Sequence, residues 1–236
     1  MQLSTLDLTQ SKQWLSEPQR YSIMDIISAS FSDVAPKDYL AIYFDSKEAH
    51  ERKLRLYYDG SNLVGYCLLT FTRKMKTTVI GASAGFLPEY RQGGNTFQFS
   101  LFESFKCWLR SPWRNHYYAD RMLSPAMYRA IAKNTGIIWP HFKHESPKHL
   151  FDRFNPDGEI DSRNALRCLV PIGRSSNYTT EELASLRTSN KPEIEYFCQV
   201  NPQFDKGVAL FVIIPIHLRQ FIWTLVKRVS MSVREN

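Results

Sequence analysis

The stretch from residue 79 to residue 96 reads VIGASAGFLPEYRQGGNT, and it decides how the rest of the chain is interpreted. Residues 79–86 open with two β-branched residues and continue with small and apolar ones, which predicts a strand. A Leu-Pro step ends the strand, and the letters RQGGN then lead to residues 96–109, a predicted helix. A strand, a glycine pair and a helix in this order are typical of an anion-binding turn.

The physical case for an anion site rests on the backbone. A glycine pair lets N–H groups approach a bound anion without obstruction by Cβ atoms. The N–H groups of the first helical turn are free, and the helix dipole favours negative charge there. Arg91 adds a cation. The alternative is that Gly-Gly forms only a turn, and the spacing is neither that of a P-loop nor that of a dinucleotide-binding fingerprint.

The same residues resemble the acyl-CoA-binding motif of the GCN5-related N-acetyltransferase superfamily. In that motif an apolar strand is followed by x-Pro-x-x-Arg and by [Gln/Arg]-x-x-Gly-x-[Gly/Ala] at the start of a helix. Pro88, Arg91 and Gly94 fit the motif, and Thr96 stands where Gly or Ala is usual. The resemblance implies that acyl-CoA, or the phosphopantetheine of an acyl carrier protein, is the donor. The implied binding residues are Phe86, Leu87, Arg91, Gln92, Gly93, Gly94, Asn95 and Thr96.

The predicted elements around the motif follow the core order of that superfamily. They are a helix at 21–31, strands at 53–58, 63–72 and 79–86, a helix at 96–109, a strand at 116–122 and a helix at 125–133. The resemblance covers about residues 20–140 and implies an α/β (α+β) fold, with a mixed central β-sheet flanked by helices. We expect residues 1–140 to form the acyltransferase core.

Residues 141–236 are expected to form a C-terminal β/α extension that packs on the same sheet or extends it. Residues 140–165 look like a long connection rich in proline. Strands are predicted at 166–172, 193–200 and 208–216, and a closing helix at 218–230. Thr179 and Glu182 have the spacing of a capping box, which predicts a short helix through Leu186.

The predicted catalytic residues follow from what acyl transfer requires, namely a proton acceptor for the amine and a proton donor for the leaving thiolate. The family often has Asn-x-x-Ala-x-x-x-Tyr with the Tyr as general acid, and Tyr128 takes that place. Arg121 and Ser124 stand where Asn and Ala would be, and the alternative is that Tyr128 is a core residue. Asp120 and His116 are candidate bases, and positioning without a dedicated base is a third possibility.

Composition narrows the classes of partner. The chain has 236 residues and a net charge of +7, which suits CoA, an acidic acyl carrier protein or an anionic membrane surface. It lacks a Lys/Arg run of the nucleic-acid-binding kind, so nucleic acid is not expected as a partner. The four widely spaced cysteines indicate free thiols and a cytoplasmic location. His141 and His144 have a ligand spacing, but neighbouring lysines would repel a dication, and no metal is expected.

The closing helix leaves two interpretations open. Residues 206–234 carry five basic residues and no acidic one, so peripheral contact with an anionic membrane is conceivable. The favoured interpretation is a helix packed on its own sheet with a basic outer face. For the whole chain we expect an N-acyltransferase that moves an acyl group to an amine acceptor. The alternative is a non-catalytic module of the same fold that binds a membrane surface or a nucleic acid.

Overall fold

The computed structural model describes residues 3–91 and 96–232, and these form parts of two compact units, Met1–Cys107 and Trp108–Asn236. The division falls inside the predicted core, because the sequence placed a boundary after residue 140. That functional boundary stays a prediction. Each unit contains β-strands and α-helices, so the α/β class predicted from the sequence is confirmed.

The first unit is built on four antiparallel strands in sequential order. They are β1 (Ser4–Thr9), β2 (Glu51–Asp59), β3 (Asn62–Lys74) and β4 (Thr77–Phe86). The hairpin between β2 and β3 turns at Gly60, whose φ of 58° lies in the left-handed region that glycine adopts without strain. β1 was not predicted, because the letters STLDLT carry little apolar signal and the strand is exposed along most of its length.

Two helices cover one face of this sheet. α1 (Glu17–Ser30) begins with a capping box between Ser16 and Gln19, and α2 (Pro36–Tyr43) begins at a proline. Apolar side chains of α1 and α2 meet alternate residues of the sheet in one core cluster, which includes Ile23, Ile27, Leu40, Leu54, Leu56 and Leu68. α2 was missed by the sequence analysis because its eight residues give a weak periodic signal.

The second unit contains three strands in the order β5-β7-β6. They are β5 (Asn115–Met122), β6 (Leu169–Pro171) and β7 (Val208–Ile216), and both pairings are antiparallel. β7, from the expected extension, pairs with β5 from the expected core along its length. The helices are α4 (Pro125–Asn134), α5 (Lys148–Phe154), α6 (Thr180–Arg187), α7 (Pro192–Val200) and α8 (Leu218–Ser232). α3 (Thr96–Arg110) runs across the division between the units.

The predicted strand at 193–200 is wrong, because these residues form α7. The alternation of Glu193, Ile194 and Glu195 imitated a strand of period two. A proline at the first helical position and two carboxylates in the first turn favour a helix instead. The connection at 140–165 was also predicted incompletely, since α5 lies within it, and the predicted strand at 166–172 is only three residues long.

Polar side chains on the inner face of α8 form hydrogen bonds with backbone groups elsewhere in the second unit. The Gln220 amide accepts from the Ile137 N–H at 2.8 Å and donates to the Ile137 carbonyl at 2.7 Å. The Lys227 ammonium donates to two carbonyls at the end of α4, each at 2.8 Å. A cation that caps the last carbonyls of a helix also meets its negative dipole end. The expected intramolecular packing of this helix is therefore confirmed.

Over residues 218–227, the outer face of α8 carries apolar side chains together with the exposed Arg219. Leu218, Ile222, Leu225 and Val226 form one stripe at helical spacing, and each is between 48% and 59% exposed. Arg219 lies beside the stripe with its guanidinium 4.2 Å from the ring centre of Trp223. Among the described helices, none is long and apolar enough to cross a bilayer.

We predict that Gly65→Ala destabilises the first unit. A Cβ atom at Gly65 would clash with Cδ1 of Phe86, so the ring or the strand must shift. Overpacking of this kind costs about 1–3 kcal/mol, and urea titration would measure it. The matched test is Gly65→Ala in a Phe86→Ala background, where the clash is gone. An equal cost in both backgrounds would show that the ring is not the cause.

Candidate active site

The end of β4 is held from both sides. The Phe86 carbonyl accepts from the Ser30 hydroxyl at 3.0 Å, and the Leu87 N–H donates to the Val64 carbonyl at 3.0 Å. A single 3₁₀ turn, Pro88–Tyr90, follows, and the Tyr90 hydroxyl donates to the Asp59 carboxylate at 2.8 Å. These hydrogen bonds fix the path of the backbone as far as Arg91. Four of the predicted binding residues, Gln92, Gly93, Gly94 and Asn95, lie outside the described residues.

The described part of α3 runs from Thr96 to Arg110, which confirms a helix over the predicted residues 96–109. In any α-helix the first N–H groups have no intrahelical acceptors, which is the general basis for anion binding at such a position. The half-buried side chains of Arg91 and Thr96 stand on either side of the undescribed segment. The structure therefore has the strand, the turn and the helix that the motif requires.

A buried ion group fixes α3 against the sheet. Glu103 is 6% exposed and accepts from Lys53 of β2 and, at 2.7 Å, from Lys106 of α3 itself. Burial alone would raise the pKa of Glu103, but the two ammonium groups outweigh it and hold this pKa below its ordinary value. One turn earlier on the helix, the guanidinium of Arg55 lies 4.6 Å from the ring centre of Phe99.

The two candidate bases share one face of β5, since His116 and Asp120 are four residues apart on a strand. The buried His116 ring donates from Nε2 to the Ser111 carbonyl at 2.8 Å, so this nitrogen is occupied. Asp120 is half-buried and accepts from the Arg121 N–H at 2.8 Å and from the Tyr118 hydroxyl at 3.1 Å. Of the two, Asp120 has the arrangement of a base.

The carboxyl group of Asp120 has a raised pKa. Desolvation raises its pKa to about 6, against the opposing effects of the Arg121 N–H, the Tyr118 hydroxyl and the charges of Arg174 and Arg121. A carboxylate with a pKa near the working pH is suited to accept a proton. Tyr118 was missed by the sequence analysis, although its position two residues before Asp120 on the same strand face would have indicated it.

Tyr128 occupies a core position in α4. Its side chain is fully buried, its hydroxyl donates to the Pro140 carbonyl at 2.8 Å, and its ring packs beside those of Tyr196 and Phe197. Burial raises the pKa of Tyr128, with smaller contributions from Tyr196 and Glu193. This is the alternative that the sequence left open. The acid role of Tyr128 stays a prediction, and it would require the hydroxyl to leave Pro140.

The histidines at 141 and 144 form a ring cluster instead of a metal site. Their ring centres are 5.4 Å apart, and the Nδ1 atom of His141 accepts from the Lys143 N–H at 3.1 Å. Burial lowers the pKa of His141 to about 4, helped by the charges of His144, Lys227 and Lys143. Within residues 3–91 and 96–232, no group of three or more His, Cys, Asp or Glu side chains is placed to hold a metal ion.

Comparison with known proteins gives fold resemblances only. No family model and no curated protein matches the sequence. Among solved structures, the chain is similar to the ribosomal-protein-S18-alanine N-acetyltransferase from Escherichia coli, at 8% identity over 90% of this chain and 96% of that chain, with a TM-score of 0.42.

Two further solved structures show the same resemblance. One is the GNAT family N-acetyltransferase YhbS from Escherichia coli in complex with CoA, at 12% identity over 54% of this chain and 67% of that chain, with a TM-score of 0.38. The other is an N-acetyltransferase from Staphylococcus aureus Mu50, at 12% identity over 55% and 83% of the two chains, with a TM-score of 0.38. N-acetyltransferases of the predicted superfamily are thus among the structures that this chain is similar to. Because these TM-scores are below 0.5, function must be argued from the residues of the chain itself.

We predict a pH-dependent difference in stability between the parent protein and Asp120→Asn. Since the folded-state pKa of Asp120 lies above the ordinary carboxyl value, folding binds this proton. The resulting stability is present below about pH 4 and is lost as the pH rises through about 6. The neutral amide does not titrate, so the variant does not lose this stability. The free energy of unfolding of Asp120→Asn should therefore rise relative to that of the parent between pH 4 and pH 7.

Urea titrations at several pH values would measure the difference. Tyr118→Phe serves as a second variant, because it removes a hydrogen bond that favours the carboxylate. It should move the loss of stability to higher pH. A gap between parent and Asp120→Asn that stays constant from pH 4 to pH 7 would contradict the raised pKa.

Proposed function

We propose that this protein is an N-acyltransferase that moves an acyl group from acyl-CoA, or from the phosphopantetheine of an acyl carrier protein, to an amine acceptor. The observation that carries the proposal is the course of the chain from Phe86 to Arg91, together with the helix from Thr96. A firmly held strand end, a single 3₁₀ turn and a 15-residue helix stand where the motif resemblance places them.

The protein is proposed to bind two parts of the donor, its phosphate groups and its extended pantetheine arm. The first amides of α3, with Arg91 and the predicted residues 92–95, suit the pyrophosphate of CoA or the phosphate of a carrier protein's prosthetic group. The strand end at Phe86 and Leu87 suits the pantetheine arm, as the resemblance implies. The net charge of +7 favours both kinds of donor, because each presents negative charge to the protein.

Acyl transfer then needs one proton to be removed and one to be supplied. The acceptor nitrogen attacks the thioester carbonyl carbon, the C–S bond breaks, and the proton from nitrogen passes to the carboxylate of Asp120. With a pKa of about 6, Asp120 is mostly ionised at neutral pH and can still hold the proton that it gains. The leaving thiol has an ordinary pKa near 8.5, so water can supply its proton. Tyr128 is the proposed alternative donor.

A second candidate function follows from the apolar stripe on α8. Four exposed apolar side chains face outward on a helix within residues 206–234, a segment that contains no acidic residue. An apolar face without opposing negative charge suits the surface of an anionic membrane, where the helix would lie flat. Peripheral membrane contact is therefore proposed as an addition to acyl transfer, or as the main role if the chain does not bind CoA.

We predict that Gly94→Val abolishes binding of acetyl-CoA and leaves the fold intact, because a branched Cβ would stand where the backbone must approach a phosphate. Isothermal titration calorimetry would measure binding, and circular dichroism would check the fold. Gly94→Ala is the graded control and should weaken binding less. If Gly94→Val binds acetyl-CoA as tightly as the parent, the anion site is wrongly placed.

We predict that the protein floats with vesicles containing anionic phosphatidylserine and does so less with neutral vesicles. The double variant Leu218→Ser with Leu225→Ser should lose this flotation, since both side chains belong to the apolar stripe. Ile160→Ser is the matched control, because Ile160 is 56% exposed but lies outside α8. Lys227 is unsuitable as a probe because its ammonium faces inward. Flotation that survives the double variant would remove the membrane proposal.

A further inference from the structure

The chain reverses its direction between α3 and β5, and Trp113 lies at the tip of this reversal. The Ser111 N–H donates to the Trp108 carbonyl and the Arg114 N–H donates to the Ser111 carbonyl, each at 3.0 Å, so two tight turns follow one another. The His116 ring bonds to the same Ser111 carbonyl at 2.8 Å. These hydrogen bonds fix the backbone on both sides of Trp113.

Trp113 is exposed to an extent that is unusual for a tryptophan. Its side chain is 78% exposed, and that of Leu109, at the end of α3, is 54% exposed. Tryptophan is highly buried on average in folded proteins, and clustered exposed apolar side chains mark interaction surfaces. We call residues 109–114 the tryptophan turn. Neither the acyl-CoA motif nor the candidate acid–base residues include it.

The tryptophan turn lies at the same end of the second unit as the beginning of α8. In the antiparallel pair of β5 and β7, His116 stands opposite Ile216. Trp113 comes three residues before His116, and Leu218, the first residue of α8, comes two residues after Ile216. Because the two strands run in opposite directions, the start of β5 and the end of β7 lie side by side.

A contact between aromatic rings shows the same arrangement. The ring centre of Trp108, in the last turn of α3, lies 6.0 Å from that of Phe221, in the first turn of α8. The exposed Leu109 follows Trp108 directly, and the exposed Leu218 precedes Phe221 by about one helical turn. The tryptophan turn therefore adjoins the apolar stripe on α8, and both belong to the second unit.

The charges in these two segments indicate what kind of surface covers them. Residues 104–119 contain no acidic residue, and neither do residues 206–234. Arg110 lies in the tryptophan turn and Arg219 follows the first residue of α8, and both are exposed. Apolar side chains with cations beside them suit an anionic membrane, where the cations meet the headgroups. Tryptophan favours this boundary because its ring is apolar and its indole N–H is polar.

We propose that the tryptophan turn is a second membrane anchor, which inserts Trp113 into the surface of an anionic bilayer beside the apolar stripe of α8. The inference rests on the membrane contact proposed above as the second candidate function. It adds a contact element that is about 100 residues away from α8 in the sequence. Two separate elements fix the orientation of the second unit on the membrane, whereas one helix would leave it free to roll about the helix axis.

The test is flotation of the full chain with increasing amounts of vesicles that contain phosphatidylserine. Trp113→Ser should bind these vesicles about 10-fold more weakly than the parent, because the apolar surface of one large side chain no longer leaves water. Trp113→Tyr should retain most of the binding, since tyrosine also favours the bilayer interface. The melting temperatures of both variants should equal that of the parent, because the side chain at 113 is mostly exposed.

Met75→Ser is the matched control, because Met75 is 92% exposed and lies between β3 and β4 in the first unit. This variant should bind vesicles as the parent does. A second readout reports insertion itself. Vesicles with bromine on their acyl chains quench nearby indole rings, so they should quench the fluorescence of the parent more than that of Trp113→Phe. Equal quenching of the two proteins would overturn the inference.

The remaining outcomes separate the inference from the membrane contact of α8. If Trp113→Ser binds vesicles as the parent does while Leu218→Ser with Leu225→Ser loses binding, the inference is wrong and the contact of α8 stands. If Trp113→Ser melts about 3 °C or more below the parent, Trp113 supports the fold and the inference is overturned. If the parent is a dimer and Trp113→Ser a monomer, the surface binds a second copy instead. If the parent does not float with anionic vesicles, both membrane proposals fail.

Discussion

The buried ion group at Glu103 is the interaction on which the proposed donor site depends. It links Lys53 of the sheet to the middle of α3, so it sets where the first turn of that helix lies relative to β4. Removing one partner of a buried ion pair typically costs about 3–5 kcal/mol, because the other charge is left without compensation. The carboxylate between two ammonium groups fixes the position of α3 along the sheet, on which the proposed anion site depends.

The two faces of the sheet in the first unit differ in the side chains that they carry. The face of the sheet turned toward α1 and α2 is covered by aliphatic and aromatic side chains, whose burial supplies stability. The face turned toward α3 carries Lys53, Arg55 and Tyr57, which are charged or polar. Buried polar groups contribute little net stability even when they are paired. Their presence on one face indicates that this face serves a purpose other than packing.

The sequence predicted the donor half of the fold well because strong local signals coincide there. The DG hairpin, the Leu-Pro step and the amphipathic helix from Thr96 each depend on neighbours in the chain, and all were found. α7 was mistaken for a strand because glutamates alternate with apolar residues over its first positions, although the proline before them and the same glutamates in the first turn favour a helix. The edge strand β1 and the short helix α2 depend on tertiary contacts, which a local pattern does not record.

The acid–base half could not be predicted to the same degree, because pKa values depend on burial and on neighbours distant in sequence. The sequence around Asp120 does not indicate that desolvation raises its pKa. It also does not indicate that Arg174, 54 residues later, lowers this pKa. The polar inner face of α8 is a similar case, since Gln220 and Lys227 bond to backbone groups more than 80 residues away. The expected basic outer face was inferred from composition, and the actual arrangement places a cation inside and leucines outside.

Hydrogen–deuterium exchange with and without CoA tests the central claim most directly, because it records which backbone amides the donor covers. The account predicts that CoA slows exchange in the peptides that span Arg91 and the first turn of α3, and leaves exchange in α8 unchanged. The result that would contradict it is bound CoA with no added protection in those peptides.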